Sequence, residues 1–217
     1  MVELTRRTLL RSTGAAGAVV AYGALGSPAS PSMARLAPPP GAWNHNPSSR
    51  IGPLRWADIG FPTCGQGTSQ SPVNISTRNV DVYRGAPLKL RYHSSEVIVE
   101  NTGHVVEVPI PEGVHDRLEI GDDSYELTQY HFHAPSEHTV NGRSADVEAH
   151  FVHVNAQGAI AVVGVFFNQG QPRNEVLERI LLSAPGEEGE EAHAGHGSPA
   201  DLFDRIDGIK ATRNGGL

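Results

Sequence analysis

The side chains with the clearest capacity for chemistry lie in one segment, residues 129–155, which holds five of the eleven histidines. Successive side chains of a β-strand point to opposite faces of a sheet, so a strand at the start of this segment places His131 and His133 on one face. A returning strand over residues 147–154 would place His150 beside them. Three imidazoles converging on one side of a sheet form a zinc site with an open fourth coordination position.

Two further polar residues share that predicted face. Gln129 stands two residues before His131, and Glu148 stands two residues before His150. A histidine that binds a metal usually has its second ring nitrogen held by a hydrogen-bond partner, which fixes the tautomer. We therefore expect Gln129 and Glu148 to orient two of the three ligands. The histidines at 138 and 153 fall outside this pattern and are interpreted as structural hydrogen-bonding residues.

The composition is that of one loop-rich domain. The chain has 217 residues, 38% of them hydrophobic, with 24 glycines and 16 prolines, which suits a β protein with a substantial core better than a helical bundle. The formal net charge of −7 argues against a nucleic-acid-binding surface. The chain has one cysteine, Cys64. In an exported protein, an odd number of cysteines implies a free thiol, an intermolecular disulfide or a missing disulfide partner.

Residues 1–34 resemble a signal peptide of the twin-arginine type. A polar start contains Arg6 and Arg7, an apolar run follows over residues 15–25, and Ser32-Met33-Ala34 provides a small-x-small cleavage signal. The alternative is a membrane anchor, but the apolar run is too short to span a bilayer well. We expect export to the periplasm, cell envelope or medium, with cleavage after residue 34 and no stable membrane span afterwards.

Short alternating runs separated by turn residues predict a mainly β fold with a central antiparallel or mixed sheet and few short helices. The predicted strands are 88–92, 96–101, 105–110, 118–120, 124–133, 147–154 and 159–167. Residues 174–182 have helical spacing. Residues 184–198, which include His193 and His196, are expected to form a charged surface loop, and the tail after residue 200 shows no strand pattern.

Three blocks of sequence resemble the α-class carbonic anhydrases. They are Q-S-P-V-N-I at 70–75, N-T-G-H at 101–104, and the segment 129–155 with its pattern Q-x-H-F-H, S-E-H-T-V and E-x-H-x-V-H. The similarity extends from Trp43 to Phe203. It implies a zinc enzyme that hydrates carbon dioxide to bicarbonate, a chemistry for which this family is the standard example.

The resemblance assigns a role to each matching residue. It makes His131, His133 and His150 the zinc ligands, with Gln129 and Glu148 as their hydrogen-bond partners. Glu137 would belong to the hydrogen-bond relay that orients the attacking water, and His104 would be the proton shuttle, a role that suits an imidazole titrating near neutrality. Val152 and Val162 would form part of the apolar wall where carbon dioxide rests.

The sequence departs from the family pattern in two places. After Phe203 the family continues with further strands, including an S-L-T-T-P-P-C motif, so the resemblance implies that C-terminal strands are missing, as a frameshift or premature stop would leave. Those strands carry a threonine of the relay, more of the apolar wall, and the cysteine that pairs with the counterpart of Cys64 in bacterial members. Their absence is expected to lower both turnover and stability. At the N-terminal side, Trp43 is followed by Asn44 and His45 instead of the W-x-Y pattern.

Two alternative functions remain open from the sequence. One is a carbonic-anhydrase-like zinc-binding protein that does not catalyse. The other is a cupin-type metal protein, because His131, His133 and Glu137 also match the H-x-H-x-x-x-E metal motif of that class. The cupin interpretation leaves the blocks at 70–75 and 101–104 without explanation, and no P-x-G-x-x-H segment follows.

Overall fold

The computed structural model describes four ranges of the chain and the backbone of two further segments. These are residues 43–46, 48–78, 88–169 and 173–203, together with the backbone of 17–22 and 209–213. Two of the predicted signal features, Arg6-Arg7 and the cleavage position at Ala34, lie outside these residues, whereas the predicted apolar run over 15–25 includes the described backbone of 17–22.

Most of the described strands belong to one ten-stranded sheet. Its strands are β1 (Gly17–Tyr22), β3 (Leu88–Arg91), β4 (Ser95–Asn101), β5 (Val106–Pro109), β6 (Arg117–Ile120), β7 (Asp123–His133), β10 (Val147–Val154), β11 (Ile160–Phe167), β12 (Glu191–Gly197) and β13 (Ile209–Arg213). Along its main path the order is β12-β4-β5-β7-β10-β11-β1-β13, and β6 joins β3 to β7 at the side. All its pairs are antiparallel except β1 with β13.

A second, three-stranded sheet connects the N-terminal part to the loop after β7. It contains β2 (Asn74–Ile75), β8 (Thr139–Val140) and β9 (Arg143–Ser144), with β2 parallel to β8. The helices are short: α1 (Thr63–Gln66), α2 (Glu175–Ser183), and 3-10 turns at Pro53–Ile59 and Pro199–Phe203. The mainly β fold predicted from the sequence is confirmed.

The core lies on the face of the sheet opposite the histidine cluster. Alternation in the central strands places Tyr130, Phe132, Ala149 and Phe151 at 3% exposure or less. Helix α2 covers part of this layer with three buried residues, Leu177, Ile180 and Leu181. Its first turn is closed by Asn174, whose side-chain oxygen accepts from the backbone N–H of Leu177 at 2.9 Å.

The predicted surface loop over residues 184–198 is wrong in part, because residues 191–197 form strand β12. This strand pairs with β4, and its register shifts between His193 and His196, where Gly195 has φ +81°. The sequence E-A-H-A-G-H-G has little intrinsic strand preference, so the strand depends on the partner that β4 offers. His193 faces Glu96, with Nδ1 3.0 Å from Oε1, and stays far from the histidine cluster in the sheet order.

Two backbone segments at the chain ends complete the sheet beyond β11. Strand β1 lies antiparallel to β11, with Val20 opposite Val163, and β13 lies parallel to β1. Strand β13 corrects the expectation that the tail carries no strand. Within the residues that the structure describes, no helix is long and apolar enough to cross a membrane.

Candidate metal centre

The register of β7 and β10 brings the predicted ligands to one face. His131 lies directly opposite His150, His133 opposite Glu148, and Gln129 opposite Val152. Residues opposite each other in an antiparallel pair point to the same face and stand about 5 Å apart. One face therefore carries the three histidines and their two expected partners, as the alternation of the sequence predicts.

The three imidazoles converge closely enough to bind one ion. Their potential donor atoms all lie within 4.8 Å of one another, and the ring centroids are 4.9 Å apart for His131 and His133, 5.3 Å for His131 and His150, and 4.8 Å for His133 and His150. Burial lowers the pKa of His131 to about 3, and the two neighbouring rings add to that effect. Burial also lowers the pKa of His133 to about 4, although Glu137 opposes it. Both rings are therefore neutral at pH 7, as metal ligands must be.

Two of the rings are oriented by acceptors on the same face. The Oε1 atom of Gln129 lies 2.8 Å from Nδ1 of His131, so Nε2 is the ring nitrogen that remains available to bind a metal. Oε1 of Glu148 lies 2.9 Å from Nε2 of His150, which leaves Nδ1 free. The Nε2–H of His150 does not point straight at this oxygen, so the contact is close but imperfectly aligned.

Glu148 is the centre of a buried hydrogen-bond network. Its side chain is completely buried, and Oε2 accepts from the backbone N–H groups of Glu137 and His138, each at 2.9 Å. Oε1 also accepts from Nδ1 of His138 at 2.7 Å, and the far side of that ring meets Ser71 Oγ at 3.2 Å. Burial alone would raise the pKa of Glu148, but the hydrogen bond from His138 and the close contact with the His150 ring outweigh it, and the pKa lies well below its usual value.

The structure places Glu137 beside the ligands and adds a residue that the sequence analysis did not assign. Oε2 of Glu137 lies 3.3 Å from Nε2 of His133 and 3.9 Å from Nδ1 of His150. Its other oxygen, Oε1, lies 3.2 Å from Nδ1 of His45. The only sequence signal for His45 was its position in W-x-H, where the family pattern has W-x-Y.

His104 is exposed and lies on the N-T-G-H turn before β5. Its ring stacks on Trp43, with centroids 3.9 Å apart and planes within 9°. Partial burial lowers the pKa of His104, the nearby His45 lowers it further, and Glu188 acts in the opposite direction. The structure therefore places His104 among the residues of the N-terminal arm, Trp43 and His45, and not in direct contact with the three clustered histidines.

Val152 and Val162 lie directly opposite each other across β10 and β11. Both are partly exposed, and Val152 is two residues from His150 on the same strand face. An apolar surface therefore adjoins the histidine cluster. His153, by contrast, points into the core, where its Nε2 meets the hydroxyl of Tyr92 at 2.8 Å, in agreement with a structural role.

The residues present fit a metal ion with nitrogen ligands. Within the described chain, Nε2 of His133 is buried and has no well-aligned hydrogen bond, which is costly unless an ion or another group satisfies it. The donor set is three imidazole rings, two of which have an acceptor beside the second ring nitrogen. This combination suits zinc.

Comparison with known proteins agrees with this geometry. A family model described as "Eukaryotic-type carbonic anhydrase" matches residues 51–207 of the 217. Alpha carbonic anhydrase 6 of Arabidopsis thaliana is 35% identical over 153 residues, covering 70% of this chain and 58% of the relative. A carbonic anhydrase of Klebsiella pneumoniae is 36% identical over 136 residues, covering 61% of this chain and 54% of the relative.

The fold matches in the same way. The α-carbonic anhydrase of Photobacterium profundum superposes with a TM-score of 0.67 at 27% identity, covering 79% of this chain and 87% of that one. The chain spans about half the length of the curated relatives it matches. The matched profile, the curled antiparallel sheet and the three clustered histidines show that this chain belongs to the eukaryotic-type carbonic anhydrase family.

Proposed function

We propose that this protein catalyses the reversible hydration of carbon dioxide to bicarbonate and a proton, with zinc held by His131, His133 and His150. The observation that carries this proposal is the convergence of three imidazole rings on one sheet face, two of them with the second ring nitrogen beside Gln129 or Glu148. The cupin interpretation is not retained, because the chain belongs to the carbonic anhydrase family.

Each residue around the site would have a definite task. A zinc ion on three neutral ligands supplies a Lewis acid that makes water nucleophilic near neutral pH, and carbonic anhydrases are the standard example of that chemistry. Val152 and Val162 offer a dry apolar surface suited to an uncharged linear substrate. Glu137 would place a carboxylate oxygen beside the ligands, where it can accept a hydrogen bond and take part in orienting the attacking water.

The proton released by the reaction needs an acceptor that is neutral at the working pH. The pKa of His104 is lowered by burial and by His45, so its ring is unprotonated near pH 7 and ready to accept. The ring is also exposed, which allows it to pass the proton to buffer. These properties support a shuttle role for His104.

We also propose that the protein is exported and works outside the cytoplasm. Support comes from the sequence alone, in the pair Arg6-Arg7, the apolar run over 15–25 and the small residues before position 35. Replacing both arginines by lysine in the full chain should retain the protein in the cytoplasm on cell fractionation. Unchanged export of that variant would contradict a twin-arginine route.

The test of the enzymatic proposal is to measure zinc content and sulfonamide-sensitive carbon dioxide hydration on the same purified sample. We expect one zinc per chain and turnover that a sulfonamide blocks. His131→Ala should lose both zinc and turnover, whereas His193→Ala, which changes an exposed side chain of strand β12, should lose neither. Stoichiometric zinc without turnover would favour the non-catalytic alternative and refute the enzyme. No zinc at all would refute the metal site.

A further inference from the structure

We propose that His45 is a positioning residue that fixes the carboxylate of Glu137 against the metal ligands. This inference rests on the proposed function. The two oxygens of Glu137 have different neighbours: Oε1 lies 3.2 Å from Nδ1 of His45, whereas Oε2 lies 3.3 Å from Nε2 of His133 and 3.9 Å from Nδ1 of His150. His45 therefore occupies one oxygen and leaves the other directed at the site.

The position of His45 is set by rings on several sides. Its imidazole meets Trp43 edge-on with centroids 5.2 Å apart, Trp56 at 5.6 Å, and His133 at 5.2 Å. The ring is less than one-third exposed. Its Nδ1 is buried and makes no well-aligned hydrogen bond among the described residues, and Oε1 of Glu137, 3.2 Å away, is the acceptor that lies beside it.

The loop that carries His45 is itself held by hydrogen bonds. The backbone N–H of Asn44 donates to the carbonyl of Ile51 at 3.0 Å, and the side chain of Asn44 donates to Ser49 Oγ at 3.1 Å. The side-chain oxygen of Asn44 also accepts from the backbone N–H of Asn46 at 3.0 Å. These hydrogen bonds define the course of the loop and so the position from which the imidazole of His45 reaches Glu137.

Without this contact the carboxylate of Glu137 would have a competing option. Donor atoms of His45, His133 and Glu137 lie within 4.8 Å of one another, which is close enough for a carboxylate to turn toward an ion held by the neighbouring histidines. A carboxylate that becomes a ligand no longer orients the attacking water, and its charge weakens the Lewis acid. By holding Oε1, His45 keeps the carboxylate of Glu137 beside the metal ligands and prevents it from becoming a ligand itself.

The proposal is tested with two replacements in the full chain. His45→Phe keeps a flat ring but removes the N–H, and His45→Gln retains an N–H donor of similar reach. We expect His45→Phe to bind one zinc per chain as the wild type does, to lose roughly 10- to 100-fold in kcat, and to leave KM nearly unchanged. His45→Gln should recover most of the lost kcat. Trp56→Phe, which changes the packing around His45 but not its N–H, should stay close to the wild type.

Each other outcome overturns the inference. Wild-type kcat in His45→Phe would show that the contact does not position Glu137, and loss of zinc from that variant would make His45 a metal ligand instead. Equal losses in His45→Phe and His45→Gln would indicate packing alone.

A readout independent of turnover separates this inference from the enzymatic proposal. In 15N-labelled wild-type protein, histidine-ring NMR should show a protected Nδ1–H resonance of His45 that disappears in Glu137→Leu, which has a similar shape but no acceptor. If the wild type proves inactive, the enzymatic proposal fails while this resonance still decides the contact. An absent resonance, or one unaffected by Glu137→Leu, overturns the inference even if the wild type is an active enzyme.

Discussion

Replacing Glu148 by glutamine tests whether one buried carboxylate holds the site together. Its two oxygens face four N–H groups: Oε2 faces the backbone N–H groups of Glu137 and His138, and Oε1 faces the rings of His138 and His150. Glutamine has almost the same shape but carries an NH2 group in place of one oxygen, and that group donates instead of accepting. In either orientation of the glutamine amide, its NH2 group faces two buried N–H donors and can accept from neither.

The expected loss of stability follows from those two donors. A buried donor left unsatisfied costs about 1–3 kcal/mol. His138 can relieve part of this by moving its ring proton to Nε2, which lies 3.2 Å from Ser71 Oγ. We therefore expect Glu148→Gln to lower the free energy of unfolding by about 2–4 kcal/mol at pH 7, measured as a lower urea midpoint with an unchanged m-value. The matched control is Glu126→Gln, an exposed carboxylate 3.3 Å from His115, which should change stability by about 0.5 kcal/mol or less.

The same substitution should respond to pH in a defined direction. Because the folded pKa of Glu148 is lowered, its stabilisation is fully present above the unfolded glutamate value of about 4.3 and is lost as the pH falls through the folded value. The stability difference between wild type and Glu148→Gln should thus be constant from pH 6 to 8 and narrow below about pH 4.

Zinc affinity provides a second measurement on the same variant. Glutamine no longer favours a proton on Nε2 of His150. The ring proton can then move to Nδ1, where it prevents that nitrogen from binding zinc. We expect zinc affinity to fall roughly 10- to 100-fold in competition with a chelator. An unfolding free energy within about 0.5 kcal/mol of the wild type, together with unchanged zinc affinity, would refute the reasoning.

Three further predictions concern the scaffold. Burial lowers the pKa of His153 to about 4. The neutral ring therefore contributes fully to the free energy of unfolding above about pH 6.5, and roughly 3 kcal/mol of that stability is lost as the pH falls toward 4. As the pH is lowered, urea midpoints should fall more steeply in the wild type than in His153→Gln, whose side chain can still accept from Tyr92. Gly52→Ala should destabilise the N-terminal loop, because its Cβ would stand 1.9 Å from the carbonyl oxygen of Asn46, and proteolysis should be faster there than in Gly186→Ala, where nothing lies within 4 Å. Asn174→Ala removes the cap of α2 and should cost about 1 kcal/mol in thermal melts, whereas Asn174→Asp should restore it.

The metal site was predictable because its ligands follow the simplest rule of a β-strand. His131 and His133 are two residues apart, and His150 falls on the same face once the two strands pair with His131 opposite His150. The face of each side chain thus follows from sequence spacing. The exact register does not, since a bulge shifts the pairing between Val152 and His153, a feature that local sequence does not mark.

Features that depend on distant partners were less predictable. Strand β12 has a glycine-rich, charged sequence, and only the free edge of β4 makes it a strand. The approach of His45 to Glu137 depends on how the N-terminal loop crosses the sheet, and neither residue carries a local signal for it. The sequence could mark His45 only as a departure from a motif.

The two faces of β7 and β10 explain why the core and the site are specified together. Tyr130 and Phe151 stand opposite each other on the buried face, with ring centroids 5.3 Å apart, while His131 and His150 stand opposite each other on the site face. A slip of one residue would exchange the faces, moving imidazoles into the core and aromatic rings out of it. Burying one such aromatic ring stabilises the fold by about 1.5–3 kcal/mol, so the core opposes that slip before any ion binds. The histidine cluster is therefore organised by apolar packing, and we expect zinc to stabilise the folded chain by mass action without being required to create its fold.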